Sequence, residues 1–425
     1  MFPLVKLADC VDLLAGFAFK SQQFTDRPDD IPLVKGENVS QGCILWDISK
    51  RWPMADWPSL EKYQLRAGDV VVAMDRPWVP AGLKWAYIRE DDPKALLVQR
   101  CSRLRSNTSK LDQSFLRFVI GGPGFESYVK PITTGVNVPH ISGKQILDYE
   151  FSLPPFPIQQ RISGILSAYD ELIENSQRRI KILETMARSL YREWFVYFRF
   201  PGHESVPRVP SPLGDIPKGW EVTELARVCV AGNGIQTGPF GSQLHESDYS
   251  ESGVPVVMPK DIIGFRIRTD SIARIPEETA DKLSRHRMQP GDIVYGRRGD
   301  IGRRAFVMPH QSRWFCGTGC LRIRPNLDAV NGWYLFNYLG QNDVVGLIQG
   351  RAQGVTMLNL NTGILSSVPV RLPPRQLQDN FARLTFSMAE AHEALSAKID
   401  NLRRTRDLLL PRLLSGQVDV EALSA

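Results

Sequence analysis

"LPPFPIQQRISGIL" fills Leu153 to Leu166 and "LPPRQLQDNFARLT" fills Leu372 to Thr385, so the chain opens a long helical pattern the same way twice, 219 residues apart. Proline fits the first turn of a helix but not its interior, so each Leu-Pro-Pro marks a helix start. Earlier blocks repeat in the same order. "IPLVKGENV" from Ile31 matches "VPVVMPKDI" from Val254, and "RAGDVVVAMDRP" from Arg66 matches "QPGDIVYGRRGD" from Gln289, both at an offset of 223. "GVNVPHISGKQILDYEFSLPP" from Gly135 then matches "GVTMLNLNTGILSSVPVRLPP" from Gly354 at 219. Two constant offsets separated by a four-residue change are what duplication followed by a change in one loop would leave. A repeat this long predicts two similar domains rather than a solenoid, whose periods are about 20–50 residues.

Within each copy, short β-branched runs such as "DVVVAM" and "DIVYG" follow Gly-Asp turn signals, which predicts mixed units of short strands and a few helices. After each Leu-Pro-Pro the period changes. Ile162, Ile165, Tyr169, Leu172, Ser176, Leu183, Met186 and Leu190 recur by three, four or their sum, and Phe381, Leu384, Met388, Ala391, Leu395, Leu402 and Leu409 do so in the second copy. This heptad spacing predicts two coiled-coil helices of roughly 40 residues, each about 60 Å long. The alternative is that each helix packs on its own globule. Between them, "RFPGHESVPRVPSPLGDIPKGW" (Arg199 to Trp220) holds five prolines, which forbids a continued helix. The fold class expected is α+β: two mixed α/β globules joined by two long helices that pair as an antiparallel coiled coil, related by a pseudo-twofold internal repeat. The expected boundaries are 1–152 for the first globule, 153–199 for the first helix, 200–218 for the linker, 219–371 for the second globule, 372–416 for the second helix and 417–425 for a tail.

Composition narrows the class. A chain of 425 residues, 43% hydrophobic and 23% charged, is long enough for several cores and matches a soluble globular protein. No apolar run reaches the roughly 20 residues a membrane span needs, and the N-terminus has no signal-peptide pattern, so a cytoplasmic location with reduced thiols is expected. The net charge of +6 is unevenly placed: Arg285 to Arg304 holds six arginines against two aspartates. Such a stretch suits phosphates, although a solvated loop face would have the same composition.

Catalytic signals are missing. No Gly-x-x-x-x-Gly-Lys-Ser/Thr loop occurs, and the lysine of "SGKQ" (Ser142 to Gln145) is followed by glutamine. "LPPFP" has Leu153 where an amino-methyltransferase needs a polar residue to accept a hydrogen bond from the target amine. No spacing of carboxylates and lysine suggests a nuclease metal site. "CGTGC" (Cys316 to Cys320) lies near His310, but no second pair stands at zinc-finger spacing, which favours buried structural cysteines.

Two globules, each followed by a long helix that starts near "LPP" and ends near "SLYREWF" or "LLLPRLLSGQ", resemble the specificity subunit of a type I restriction-modification enzyme. "LGDIPKGW" (Leu213 to Trp220), "GDIVYGRRGDIGRRAFV" (Gly291 to Val307) and "LLSGQVDV" (Leu413 to Val420) are also similar to that family. Nearly the whole chain is covered, and the order of motifs is more specific than any one of them. The resemblance implies that each globule is a target-recognition domain reading one half of a split double-stranded DNA target, while the helices fix the unread spacer. It implies as partners two adenine-N6 methyltransferase subunits and two restriction subunits. The chain itself would be non-catalytic and carry no cofactor or metal, with S-adenosylmethionine, ATP and Mg in the partner subunits.

Arginine reads guanine bidentately and Asn or Gln reads adenine, which guides the choice of candidate contacts. In the first globule these are Lys35, Asn38, Arg76, Trp78, Lys84, Thr133, Thr134, Asn137 and His140; Trp78 has packing, and His140 an ordinary loop position, as alternatives. In the second they are Gln236, Thr237, Gln243, Lys260, Arg297, Arg298, Arg303, Arg304, Arg351, Gln353, Thr356 and Asn359. The aromatics of "YREWFVYF" (Tyr191 to Phe198) suit either a protein-protein contact or packing on a globule. One other reading stays open, a coiled-coil scaffold that binds no DNA; the sequence argues against a third, a self-contained methyltransferase.

Overall fold

The computed structural model describes residues 2–107, 109–133, 139–240, 243–264, 266–352, 359–418 and 420. By their contacts these form two compact units, one of Met1–Arg178 with Leu395–Ala425 and one of Arg179–Ala394. The division falls inside the two long helices, Phe156–Tyr191 and Arg375–Leu414.

In the first unit a five-stranded sheet runs in the order Val11–Ala15, Cys101–Ser106, Val70–Ala73, Trp85–Tyr87, Gln41–Gly42. A second sheet has the order Arg51–Trp52, Ile31–Val34, Ala95–Leu97, Gln64–Leu65. The run Val70–Ala73 does not alternate in polarity because both its faces are covered: Val70 and Val72 join one core cluster, Val71 and Ala73 another. The second unit has the order Ile235–Thr237, Cys320–Ile323, Ile293–Gly296, Arg304–Phe306, beside a smaller sheet of Ala273–Ile275, Val254–Val257 and Phe315–Cys316. The duplication read from sequence extends to the pairing. Ile31–Val34 pairs parallel with Ala95–Leu97, as Val254–Val257 does with Phe315–Cys316. Helices Gln113–Ile120, Pro123–Ile132 and Gly143–Leu147 recur as Gly332–Tyr338, Asn342–Arg351 and Thr362–Ser366, each starting 219 residues later.

The Gly-Asp signal has a physical meaning in both copies. Gly68 and Gly291 each take φ +91°, a left-handed turn open to glycine at no steric cost. The following carboxylate closes that turn, accepting from the backbone N–H of Arg66 (2.9 Å) or Gln289 (2.7 Å). It is then held bidentately by an arginine from the next strand: Asp69 by Arg105 at 2.5 and 2.7 Å, Asp292 by Arg324 at 2.7 and 2.7 Å. Both aspartate side chains are buried, so each turn is tied to its sheet by a shielded ion pair.

The opening motif has an equally local cause. Gln159 is fully buried; its Oε1 accepts from Asp112 N (2.8 Å) and its Nε2 donates to Lys110 O (2.7 Å) and Pro154 O (2.8 Å). Gln378 does the same work with Asn331 N (2.9 Å) and Pro373 O (2.7 Å). In turn Asp112 and Asn331 cap the short helices that follow them. Each long helix is thus pinned to a globule at its first turn.

Within each unit the two long helices run in opposite directions. In the first, Asp170 meets Arg406 at 2.7 Å, while Ile162 and Leu166 share a core with Leu410 and Leu413. In the second, Glu184 meets His392 at 3.1 Å and the Tyr191 ring stands edge-on to Phe381 at 5.7 Å. The buried stripe is turned relative to the expected heptad. Leu172 and Met186 are 45% and 50% exposed and Leu384 is 46% exposed, so these three are not core positions. Ile162, Phe381 and Leu395 are buried, whereas Ile165, Tyr169, Leu183, Leu190, Met388, Leu402 and Leu409 are half-buried. Ser176, an expected position, is buried, and the stripe otherwise runs through Leu166 and Ile173 on the first helix and Thr385, Ile399, Leu410 and Leu413 on the second. A helix that packs on a globule and on another helix at once buries a wider arc than a two-stranded seam, and its centre moves accordingly.

The proline-rich stretch is not a free spacer. Arg208–Val209 and Ile216–Pro217 form a short antiparallel ladder, and Phe200, Ile216 and Trp220 are buried in the second unit's core. Tyr191, Trp194 and Phe195 join that core, leaving Arg192, Val196 and Tyr197 of that run well exposed. Packing, rather than a partner surface, accounts for most of it.

Removing one side of a shielded pair strands the other. Arg105→Met should cost about 3 kcal/mol by denaturant melt, and adding Asp69→Leu should recover more than half of that loss.

Candidate nucleic-acid interface

The first unit gathers several predicted residues at the end of strand Val70–Ala73. Asp75 bridges to His140 across the sheet edge; Met74 O accepts from Ile141 N (2.9 Å), and Arg76 N donates to Pro139 O (2.6 Å). His140 Nδ1 lies 2.7 Å from Asp75 Oδ1, and Arg100 Nη1 donates to Asp75 Oδ2 at 2.5 Å. Burial pushes the Asp75 carboxyl up, but the bonds from Arg100 and His140 outweigh it and hold the group below its ordinary range. Arg76 is exposed beside this cluster. Lys84 is half-buried and donates to Gly36 O, and that burial lowers its ammonium below the usual lysine range. Lys35 is paired with Glu37 at 2.9 Å.

Other first-unit expectations land elsewhere. Asn38 is buried and is corrected to a structural residue: its Oδ1 accepts from Lys35 N (2.8 Å) and its Nδ2 donates to Leu33 O (2.9 Å) and Ser49 Oγ (3.2 Å). No amide edge is left for a base. Thr133 Oγ1 donates to Val129 O at 2.7 Å, finishing its own helix. Trp78 is exposed on a two-stranded ladder with its indole N–H on Glu126 (2.9 Å) and Lys130 over its ring at 4.7 Å. Thr134 and Asn137 lie outside the described residues.

The second unit builds the same edge from other side chains. Arg298 bridges to Asn359, and Leu360 N donates to Arg297 O at 2.9 Å, repeating the Met74–Ile141 bond. Arg297 Nε donates to Asn359 Oδ1 (3.1 Å) and its guanidinium lies 5.5 Å from the centre of the exposed Phe240 ring. Arg298 is exposed and has no hydrogen-bond or ion-pair partner among the described residues. Arg303 is exposed but tied to Asp300 at 2.8 Å. Gln236 accepts from Arg322 (3.1 Å), Thr237 pairs with Leu321 in the sheet, and Gln243 Oε1 accepts from Phe240 N (3.4 Å). Lys260 is exposed on a short turn, and Arg351 donates to Ser367 O at 3.1 Å. Gln353 and Thr356 lie outside the described residues.

Arg304 is corrected. It is only 6% exposed, donates through Nε to Phe336 O (2.9 Å) and stacks at 4.8 Å on the Phe336 ring; burial lowers its guanidinium to about 10. Arg287 is likewise spent on Glu277 and Asp281, both at 2.7 Å. The basic run is therefore less cationic at its surface than its composition. Among the described residues no group of three or more His, Cys, Asp or Glu is placed to hold a metal ion. Cys316 and Cys320 are buried, and burial pushes the Cys316 thiol up to about 12.

Sequence reasoning missed Arg100 and Phe240. Arg100 owes its role to φ +67°, a backbone state no neighbouring glycine or asparagine announces. Phe240 lies between the candidates Thr237 and Gln243, where an aromatic has no periodic pattern to mark it.

The contrast between Asn38 and Arg298 can be measured. Asn38→Ala should lower stability by about 1–3 kcal/mol because buried partners lose their bonds, whereas Arg298→Ala should stay within about 0.5 kcal/mol. A depressed carboxyl contributes stability above its unfolded pKa near about 4 and loses it as pH falls through the folded value. Asp75→Asn should accordingly flatten the loss of stability below about pH 4, read from melts at stepped pH.

The family model described as type I restriction modification DNA specificity domain matches residues 3–185. The chain is 25% identical over 312 residues to the type I restriction enzyme MjaIX specificity subunit of Methanocaldococcus jannaschii, covering 73% of this chain and 70% of that one. It is 21% identical over 430 residues to the EcoBI specificity subunit of Escherichia coli, covering 98% and 86%. The crystal structure of a type I restriction-modification S subunit from M. genitalium has the same fold, with TM-score 0.65 at 15% identity over 97% of this chain and 96% of that one. With both sheets, both long helices and the repeated edge in place, this chain is similar in sequence, and like the M. genitalium subunit in fold, to type I restriction specificity subunits.

Proposed function

We propose that the chain is the DNA-addressing subunit of a type I restriction-modification complex, and that residues 1–152 and 219–371 are two recognition domains that each read one half of a split target. The observation that carries this reading is the repeated edge. Both copies keep the same backbone bonds at the strand end, Met74–Ile141 and Arg297–Leu360, while the residues bridged there change from Asp75 and His140 to Arg298 and Asn359. A constant scaffold with different polar groups at one edge suits two readers of two different sequences, since base-edge contacts specify and phosphate contacts position. The two long helices set the spacer. Arg76, Lys84, His140 and Lys35 serve the first half, and Arg297, Arg298, Arg303 and Asn359 the second.

The chain supplies address rather than chemistry. Two adenine methyltransferase subunits and two restriction subunits assemble with it, and they carry S-adenosylmethionine, ATP and Mg. No helix among the described residues is long and apolar enough to cross a membrane. A cytoplasmic complex acting on double-stranded DNA follows from this reading.

The test is to co-express the chain with its methyltransferase subunit in a host lacking adenine methylation and to map methylated adenines. A split motif with a fixed unread gap is expected; a continuous motif from an intact complex would refute the two-reader arrangement. Affinity of that complex for target DNA should fall with log salt at a slope of about −0.9 per phosphate contacted. Binding indifferent to salt would favour a scaffold that does not touch DNA.

A further inference from the structure

Arg76 stands at φ +44°, in the left-handed region that a bulky side chain rarely enters. Its counterpart at the offset of 223 is Gly299, which takes φ +75° in the same turn. The register between them is fixed by the backbone: the preceding residues Asp75 and Arg298 make the equivalent bridges to His140 and Asn359. One fold position therefore needs a left-handed residue in both copies, and the second copy meets the need with glycine. The first keeps an arginine there against a conformational cost.

Among the described residues, no hydrogen bond or ion pair of the Arg76 side chain offsets that cost. That side chain is exposed. Its backbone, by contrast, is held through its own N–H and through the residue that follows it. Arg76 N donates to Pro139 O at 2.6 Å, and the carbonyl of Pro77 accepts from Lys84 N at 2.7 Å. The preceding carboxylate, on Asp75, is occupied by Arg100 and His140 and so is not free to bind Arg76. The result is a guanidinium that has no partner among the described residues, on an anchored turn at the edge of the first sheet.

Resting on the proposed DNA-addressing function, we infer that Arg76 is a specificity-determining residue that reads a guanine of the first half-site through its two-pronged guanidinium. A phosphate contact needs only a cation within reach, and a flexible lysine on an unstrained backbone provides it. A bidentate base contact needs the fork held at a set position and angle, which a strained and anchored turn supplies. The second copy, with glycine here, places its unpartnered arginine one residue earlier, at Arg298. The two half-sites are therefore read from different positions of one turn.

The experiment uses the chain in complex with its methyltransferase subunit, as wild type, Arg76→Gly and Arg76→Lys, with thermal melts and genome-wide maps of methylated adenine. Arg76→Gly should melt at or above the wild-type midpoint. It should leave the second half-site and the gap unchanged, and lose discrimination at one guanine of the first half-site by about tenfold or more. Arg76→Lys should relax the same position, because an ammonium cannot span two acceptors as the fork does. An unchanged motif in Arg76→Gly overturns the inference, as does a lowered midpoint, which would make the side chain a support of its own turn. A wild-type motif in Arg76→Lys also overturns it, since charge alone would then suffice. A wild-type complex that marks no split motif is a different failure, of the functional reading itself.

Discussion

Two buried glutamine side chains set the geometry on which the rest depends. Gln159 and Gln378 each bridge the strand that ends in Leu-Pro-Pro, the loop before a short helix and the first turn of a long one. A buried amide tolerates few arrangements, because any other leaves its donors or acceptors unpaired at about 1–3 kcal/mol each. A hydrophobic residue at the same place would bury as well and yet permit the helix to roll. The amide fixes direction where apolar packing alone would fix only proximity. In the proposed function, each recognition edge depends on that direction.

The same division of labour governs the charges. Arg105 and Arg324 are shielded and bound to Asp69 and Asp292, and Arg304 lies under Phe336; these are parts of the frame. Arg76 and Arg298 are exposed at the edge, without a side-chain partner among the described residues. Counting arginines between Arg285 and Arg304 therefore overstates the cationic surface, because Arg287, Arg303 and Arg304 all have partners within the second unit. Charge that faces water at a recognition edge is available to a polyanion; charge that is desolvated and paired is not.

Much of the fold was legible because duplication makes a sequence check itself. Leu-Pro-Pro, the Gly-Asp turns and the order of blocks each recur, and each corresponds to a repeated hydrogen bond. The helix faces were less legible. Leu172 and Met186 sit at heptad positions, yet the arc that is buried is set jointly by a globule and a second helix, which no period in one helix encodes. The linker was legible only in part: five prolines exclude a helix but do not announce a packed ladder, and Phe200, Ile216 and Trp220 are the apolar residues that tie it down. At the candidate site, Asn38 and Arg304 have the right chemistry for DNA, and only burial distinguishes them from Lys35 and Arg298.

Left-handed backbone at non-glycine residues is where sequence says least and structure says most. Arg76 and Arg100 both take positive φ, and both adjoin Asp75. Their conformations are imposed by the sheet edge and by the bond to Pro139, not by local propensity. Comparing the copies turns that observation into an argument, since one chain supplies both the strained position and its relaxed glycine counterpart. The frame repeats wherever the two copies must hold the same shape. Where they differ at a position of fixed backbone, the side chain, and not the fold, is what the difference concerns.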